Sequence, residues 1–209
     1  MIIFAAVMTD KIKFLERVTP LFWRYGAKSL TMDEIAREFS ISKKTLYQSY
    51  PNKEALLQEV LDYTLESIVQ RVQGAKDRYS NPIEAMLNSY QNMEVLMTEN
   101  SNVFVQQLSK YYDKILEKHK VTVYEKLLPV FENNVLRGQE LNFYRNDLNV
   151  KIYFKFLLQL FFSVEDSPLF SEERNSEQLL CINIVDFYLN SILTETGRQN
   201  YNELKTKYE

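Results

Sequence analysis

The sequence predicts an all-α protein. Glycine and proline are scarce, with four and five among 209 residues, and most stand where a helical pattern begins or ends. Apolar residues recur every three or four positions over most of the chain, which is the spacing of an amphipathic helix. We expect a small amino-terminal domain at residues 9–55 and a larger helical domain at residues 56–200.

The first helix is expected over residues 9–25. Its core-facing residues are expected to be Ile12, Leu15, Val18, Phe22 and Trp23. Pro20 lies inside this pattern, and a bend is expected there because an interior proline removes a backbone hydrogen bond. Residues 1–8 are apolar but lack the basic start of an export signal, and translation could begin at Met1 or Met8.

Two short helices around a tight turn are expected next. Thr31 and Glu34 have the spacing of a capping box, so a helix should begin at Thr31. Ser42 suits the N-cap of the second helix. Pro51 should end that helix, because a proline disfavours helical geometry at the residue before it.

The second short helix carries side chains suited to DNA. The residues on its polar face are Lys43, Lys44, Thr45, Tyr47 and Gln48. Lysine can bind phosphate or guanine, glutamine can pair with adenine, and threonine and tyrosine can donate to phosphate. The alternative is that the two lysines only form a solvated surface.

Taken together, these residues resemble the TetR family of one-component bacterial transcriptional regulators. The resemblance is carried by Phe22 to Gly26, Thr31, Glu34-Ile35-Ala36, Ile41 to Tyr47 and Lys53 to Leu57. It implies an amino-terminal three-helix helix-turn-helix DNA-binding domain, followed by a larger helical ligand-binding and dimerisation domain. The helix from residue 42 to 49 would be the recognition helix that enters the major groove.

The resemblance also implies which residues bind DNA. They are Thr31, Ser42, Lys43, Lys44, Thr45, Tyr47, Gln48, Tyr50 and Lys53. Among them Thr31, Tyr47 and Lys53 are expected on phosphates. Two positions depart from the family pattern, since Ser40 stands where glycine is common and Tyr50 where phenylalanine is usual. The extra hydroxyl of Tyr50 would allow a further phosphate contact.

Charge is divided unevenly along the chain. Residues 1–60 carry nine lysines and arginines against seven acidic residues, a net charge of +2, whereas the whole chain carries −3. Because +2 is weak for a nucleic-acid binder, affinity should come from two correctly placed copies more than from bulk attraction. This favours a homodimer on double-stranded DNA.

Further helices are expected in the second domain. Their expected ranges are 52–74, 82–97, 102–118, 121–136 with an interruption at Pro129, 149–164 and 172–194. The last two are apolar on more than one face, so each should be covered on more than one side. We expect a dimer interface there, although an internal core alone would give the same pattern. The candidate interface residues are Phe156, Leu160, Val185 and Leu189.

Aromatic and methionine side chains concentrate in the second domain. Such a stripe is more often core than pocket, but the resemblance implies a small-molecule cavity there, suited to a small apolar or aromatic ligand. The candidate pocket residues are Tyr90, Met93, Phe104, Tyr111, Tyr124, Phe131 and Phe154.

The sequence lacks the motifs of an enzyme. It has one histidine, His119, expected to be exposed and inert, and no Cys/His cluster, phosphate-binding loop or nucleophile elbow. We expect no catalytic residue, metal or cofactor. The lone Cys181 fits a reducing cytoplasm, and no stretch approaches the roughly 20 apolar residues of a membrane span.

These observations predict a cytoplasmic, ligand-responsive DNA-binding transcriptional regulator. It would act as a repressor and bind a palindromic operator as a dimer. The alternative is a dimeric helical protein-interaction module without a regulatory ligand.

Overall fold

The computed structural model describes the backbone of residues 2–94, 101–170 and 177–208, and the side chains of residues 11–89, 103–164, 167, 169, 170 and 180–206. Within these ranges the chain is helical, with one isolated β-bridge between Tyr144 and Leu193 and no strand. The predicted all-α class is confirmed. None of the described helices is long and apolar enough to cross a membrane.

The helices follow one another with short connections. They are α1 (Ile2–Tyr25), α2 (Met32–Glu38), α3 (Lys43–Ser49), α4 (Lys53–Arg78), α5 (Pro82–Glu94), α6 (Ser101–Tyr111), α7 (Asp113–Glu140), α8 (Val150–Asp166), a 3-10 turn (Pro168–Phe170), α9 (Glu177–Ile192) and α10 (Glu195–Tyr208).

The described residues fall into two compact units. Unit 1 takes its residues from 1–67 and 97–121, and unit 2 from 68–96 and 122–209. Helices α4 and α7 therefore contribute to both units. Unit 1 includes α6, which the sequence analysis had assigned to the second domain; the predicted boundary after residue 55 stays a prediction.

Unit 1 is built around one apolar core. Its fully buried side chains come from four helices of the amino-terminal region and from α6: Val18, Phe22, Ile35, Leu46, Leu56, Leu57, Val60, Phe104 and Leu108. The ring of Phe104 lies 4.6 Å from that of Trp23 and 6.1 Å from that of Phe22. Ile12 was expected in this core but is 43% exposed, so that prediction is wrong.

Unit 2 contains an aromatic cluster on α7, α8 and α9. The ring of Phe154 lies 4.2 Å from Phe131 and 5.8 Å from Tyr124, and Phe131 lies 6.0 Å from Tyr188. The last helix, α10, was not predicted. It buries Tyr201, whose hydroxyl donates to Oδ1 of Asp186 on α9 at 2.7 Å.

Two helices continue through interior prolines. α1 includes Pro20, and α7 runs from Asp113 to Glu140 through Pro129. The expected interruption at Pro129 is wrong, because Pro129 is exposed while Leu127 and Val135 on either side are buried. Packing of these neighbours offsets the hydrogen bond that proline removes.

Candidate nucleic-acid interface

The predicted capping box begins α2. Oγ1 of Thr31 accepts a hydrogen bond from the Glu34 N–H at 3.2 Å, and Oε2 of Glu34 accepts one from the Thr31 N–H at 2.8 Å. The bond to the Thr31 N–H lowers the pKa of the Glu34 carboxyl. The predicted start of this helix is confirmed.

A tight turn joins α2 to α3. Ser40 has a φ of +54°, in the left-handed region, and the N–H of Ile41 reaches back to the carbonyl of Ala36 at 3.0 Å. Ser42 then caps α3, because its Oγ accepts from the Thr45 N–H at 3.0 Å. The predicted helix-turn-helix is thus formed by the local hydrogen bonds that its polar residues suggested.

α3 is held to unit 1 by one buried side chain. Leu46 is 1% exposed, whereas the other residues of the helix, from Lys43 to Ser49, are exposed. The structure therefore brings five of the predicted DNA-binding residues to one exposed helix: Lys43, Lys44, Thr45, Tyr47 and Gln48. A seven-residue helix with a single core anchor leaves most of its surface for a partner.

The polar groups of α3 differ in what they already contact. Lys43 forms an ion pair with Asp33, and Oγ1 of Thr45 lies 2.8 Å from Oγ of Ser42. Lys44 and Gln48 have no hydrogen-bond partner within the described part of the chain. These two side chains are the most available for base contacts.

The expected phosphate contacts Thr31 and Lys53 lie at the edge of α2. Nζ of Lys53 donates to the carbonyl oxygen of Lys28 at 2.9 Å, and partial burial lowers the pKa of this ammonium group. Its charge also acts on Glu34, the partner of Thr31 in the capping box. Thr31 itself is exposed.

Tyr50 does not join the exposed group. It is 6% exposed, its ring stacks on Phe14 at 5.6 Å, and burial raises the pKa of its hydroxyl to about 12. The aromatic ring at this position serves the core of unit 1, so the expected phosphate contact of Tyr50 has no support in this fold.

The candidate pocket residues do not form one set. Tyr124, Phe131 and Phe154 come together in unit 2, whereas Phe104 and Tyr111 belong to unit 1. The side chains of Tyr90 and Met93 lie outside the described residues. A cavity of about 30 Å³ in unit 2 adjoins Phe131, far below the roughly 300 Å³ of a typical ligand site.

The candidate dimer residues divide by exposure. Phe156 on α8 is 61% exposed and Leu160 is half-buried. Val185 and Leu189 on α9 are buried inside unit 2, so they cannot offer surface to a second subunit, and that part of the prediction is wrong. Other exposed apolar side chains of α8 and α9 are Ile152, Ile182 and Phe187.

His119 is not the exposed residue that the sequence suggested. Its side chain is partly buried, its Nδ1 has no hydrogen-bond partner, and burial lowers its pKa. The lysines on either side made this stretch look polar, but the helical position of His119 turns it inward.

The geometry of residues 31–53 matches a known family. The profile described as "Bacterial regulatory proteins, tetR family" matches residues 19–60, which contain the capping box, the turn and α3. The chain belongs to the TetR family. The family consists of regulatory proteins, which agrees with the prediction that this chain is not an enzyme.

Two proteins of Bacillus subtilis (strain 168) resemble parts of this TetR-family chain. YuxN is 36% identical over 76 residues, and YhgD is 33% identical over 63 residues. These stretches are 36% and 30% of this chain, and 26% and 33% of the two relatives. Both relatives are described as uncharacterized HTH-type transcriptional regulators, and the chain spans a third or less of their lengths.

Solved structures share the fold over most of this TetR-family chain. A TetR transcription regulator from Haloarcula marismortui has a TM-score of 0.68 at 15% identity, covering 89% of this chain and 100% of its own. Reduced NemR of Escherichia coli has a TM-score of 0.67 at 14% identity, covering 87% and 96%. SmeT, described as the repressor of the Stenotrophomonas maltophilia multidrug efflux pump SmeDEF, has a TM-score of 0.64 at 15% identity, covering 87% and 89%.

Proposed function

We propose that this chain is a DNA-binding transcriptional regulator of the repressor type. It acts in the cytoplasm, binds a palindromic operator as a homodimer, and responds to a small apolar or aromatic ligand. The observation that carries the proposal is α3, which presents Lys44, Tyr47 and Gln48 to solvent and is anchored by Leu46 alone.

The side chains of α3 suit major-groove readout. Gln48 can pair with adenine and Lys44 can donate to guanine, whereas Tyr47 can reach a phosphate. Lys43 is engaged with Asp33 in the free protein. Because both groups are well exposed, that pair contributes little stability, and DNA phosphate can replace the carboxylate at small cost.

Two observations support a homodimer. The amino-terminal 60 residues carry a net charge of only +2, so two copies on adjacent half-sites supply the affinity that bulk attraction does not. Unit 2 exposes large apolar side chains on α8 and α9, of which Phe156 at 61% and Phe187 at 66% are the most exposed. Recognition helices of such a dimer enter successive major grooves about 34–36 Å apart.

A regulatory ligand is supported by composition more than by open space. The rings of Tyr124, Phe131 and Phe154 form an apolar group in unit 2, and the adjoining cavity of about 30 Å³ holds no more than a water molecule. Side chains must therefore move to admit a ligand. SmeT, which shares the fold, is described as a repressor, and this favours repression here.

Selection of DNA from a randomised duplex library tests the proposal. We expect the wild-type protein to enrich an inverted repeat, with affinity that falls linearly in log salt concentration. Failure to enrich any sequence would reject DNA recognition. Enrichment of a single half-site by a monomer would reject the palindromic dimer.

A thermal-shift screen against a library of small apolar and aromatic compounds tests the ligand separately. A compound that stabilises the protein and weakens binding to the selected duplex supports a ligand-responsive regulator. DNA binding without any responding compound would instead favour the helical interaction module that the sequence also allowed.

A further inference from the structure

A glutamine on α6 is bonded to the loop that precedes α2. Oε1 of Gln107 accepts hydrogen bonds from the backbone N–H groups of Lys28 at 2.6 Å and Ser29 at 3.3 Å. Its Nε2 donates to Oγ of Ser29 at 3.2 Å. One side-chain amide therefore holds two successive peptide groups of the loop at residues 26–31.

The loop and the glutamine fit each other closely at Gly26. This residue has a φ of +91°, and a Cβ added to it would lie 2.5 Å from Oε1 of Gln107. Both the left-handed backbone and the close approach require glycine. The path of the loop is thus shaped to receive the amide of Gln107.

The position of Gln107 is set by the core of unit 1. Its neighbours Phe104 and Leu108 are 0% and 1% exposed, so this part of α6 cannot shift without disturbing buried packing. One turn further along α6, the ring of Tyr111 receives the ammonium group of Lys28 at 3.7 Å. α6 therefore contacts both the backbone and the side chain of the loop.

The same loop also touches the expected DNA-binding residues. The carbonyl oxygen of Lys28 accepts from Nζ of Lys53 at 2.9 Å, so the N–H of Lys28 is held by Gln107 and its carbonyl by Lys53. Ser29 precedes Thr31 by two residues, and Thr31 caps α2. Any change in the loop alters where Thr31 and Lys53 stand.

We propose that Gln107 is a positioning residue for DNA binding, which fixes the loop at residues 26–31 so that Thr31 and Lys53 meet DNA phosphates together. This inference rests on the proposed function. Gln107 lies outside the stretch that matches the family, residues 19–60, and acts through the loop backbone. Its contribution is therefore invisible in the helix-turn-helix sequence alone.

The DNA test compares two methionine variants on α6. Gln107→Met keeps the length of the side chain but removes its hydrogen bonds, whereas Gln106→Met makes the same change at the neighbouring residue, which has no hydrogen bond in the described structure. Affinity for the duplex selected by the wild-type protein is measured by fluorescence anisotropy. We expect Gln107→Met to weaken binding about fivefold to tenfold and Gln106→Met to change it by about twofold at most.

Amide hydrogen exchange of the free protein provides a readout that does not depend on DNA. Gln107→Met should speed exchange at Lys28 and Ser29 and leave the rest of unit 1 unchanged. Gln107→Glu should keep the slow exchange at both amides, because a carboxylate oxygen accepts from the same N–H groups. The added charge would repel phosphate, so this variant is used for exchange only.

The outcomes separate the inference from the proposed function. If the wild-type protein enriches no DNA, the proposed function fails and the role of Gln107 in it fails too. If the wild type binds its selected duplex and Gln107→Met binds equally well, only the inference is overturned. Faster exchange throughout unit 1 in Gln107→Met would also overturn it, since the variant would then act by general destabilisation.

Discussion

The side chains on α3 and at the start of α4 should divide into two classes on DNA. Lys44→Ala and Gln48→Ala should each cost about 1–3 kcal/mol on the selected duplex and relax base preference, because these exposed groups have no partner in the described part of the free protein. Lys53→Ala should weaken all sequences and reduce the salt slope by about one unit. The measurement is a titration of selected and random duplexes at several salt concentrations.

Equal losses on selected and random DNA for Lys44→Ala and Gln48→Ala would reject base reading by α3. The solvated-surface alternative for the lysines predicts that outcome. Lys43→Ala is a useful comparison on the same helix, because Lys43 is already paired with Asp33. It should lose less than Lys44→Ala.

The sequence predicted polar residues by type but not always by position. The polar set of α3 was found because a single apolar residue, Leu46, defines which way the helix faces. Tyr50 and Leu189 were assigned to surfaces and are 6% and 0% exposed. A lone aromatic or leucine carries no sign of which face it occupies until the neighbouring helices are placed.

The pH dependence of stability should contain a contribution from His119. Burial lowers its pKa, and the nearby Asp62 carboxylate opposes that effect only in part. As pH falls below the ordinary value of about 6.5, the unfolded chain takes up the proton first, so the folded state loses stability; the loss is complete below the folded pKa. Because there is one histidine, its imidazole NMR signal reports this titration directly.

We expect a His119 titration midpoint below about 6.5 in the folded protein. His119→Leu should lose less stability than the wild type when urea unfolding is compared at about pH 7 and about pH 5. A midpoint at or above the ordinary value would contradict the burial of this imidazole.

At the scale of helices, capping signals were the most reliable part of the sequence. Thr31, Ser42 and Asn149 each cap the helix that follows through a side-chain oxygen, because such caps depend on residues three positions apart. Prolines were misleading. Pro129 reads as a break, but packing around it keeps α7 continuous.

The helix α10 escaped prediction because its sequence is polar. Its buried residues include only Tyr201 and Leu204 at the expected spacing, with Gly197 near its start. The contacts that hold it come from α9, where Asp186 accepts from Tyr201 and Lys205. Tertiary contacts of this kind have no local signature.

The turn between α2 and α3 offers a stability prediction. Ser40 has a φ of +54°, a conformation that costs an ordinary residue about 1–2 kcal/mol. Ser40→Gly removes that strain but adds chain entropy, so a net gain of about 0.5–1 kcal/mol is expected in urea unfolding. DNA affinity should be unchanged, since α3 keeps its place.

Asn142 is the matched control for Ser40, because it has a φ of +57° and asparagine tolerates that region better. Asn142→Gly should therefore gain less stability than Ser40→Gly. A Ser40→Gly protein that is less stable than the wild type would show that the serine makes a compensating contact.

At the scale of the whole molecule, sequence reasoning placed α6 with the wrong neighbours. Phe104 and Tyr111 were grouped with a pocket in the second domain, whereas α6 packs into unit 1 and Gln107 bonds to the loop before α2. The periodicity of residues 101–111 shows that an apolar face exists but not which core it enters. Sequence separation of almost 80 residues leaves no local trace of that contact.

Self-association should depend on exposed rather than buried apolar residues. Phe156 is 61% exposed on α8, and in a two-fold interface each substitution acts twice. Burying a phenylalanine contributes about 1.5–3 kcal/mol, so Phe156→Asp should weaken dimerisation at least about 100-fold while the monomer stays folded. Light scattering across a dilution series measures this change.

Leu189→Asp distinguishes association from folding, because Leu189 is fully buried and an unpaired charge there should unfold unit 2. Phe156→Asp should keep its helical circular dichroism, lose affinity for the full palindrome, and bind an isolated half-site as the wild type does. A Phe156→Asp protein that dimerises like the wild type would move the interface away from this face of α8. The two-copy explanation for DNA affinity would then need another surface.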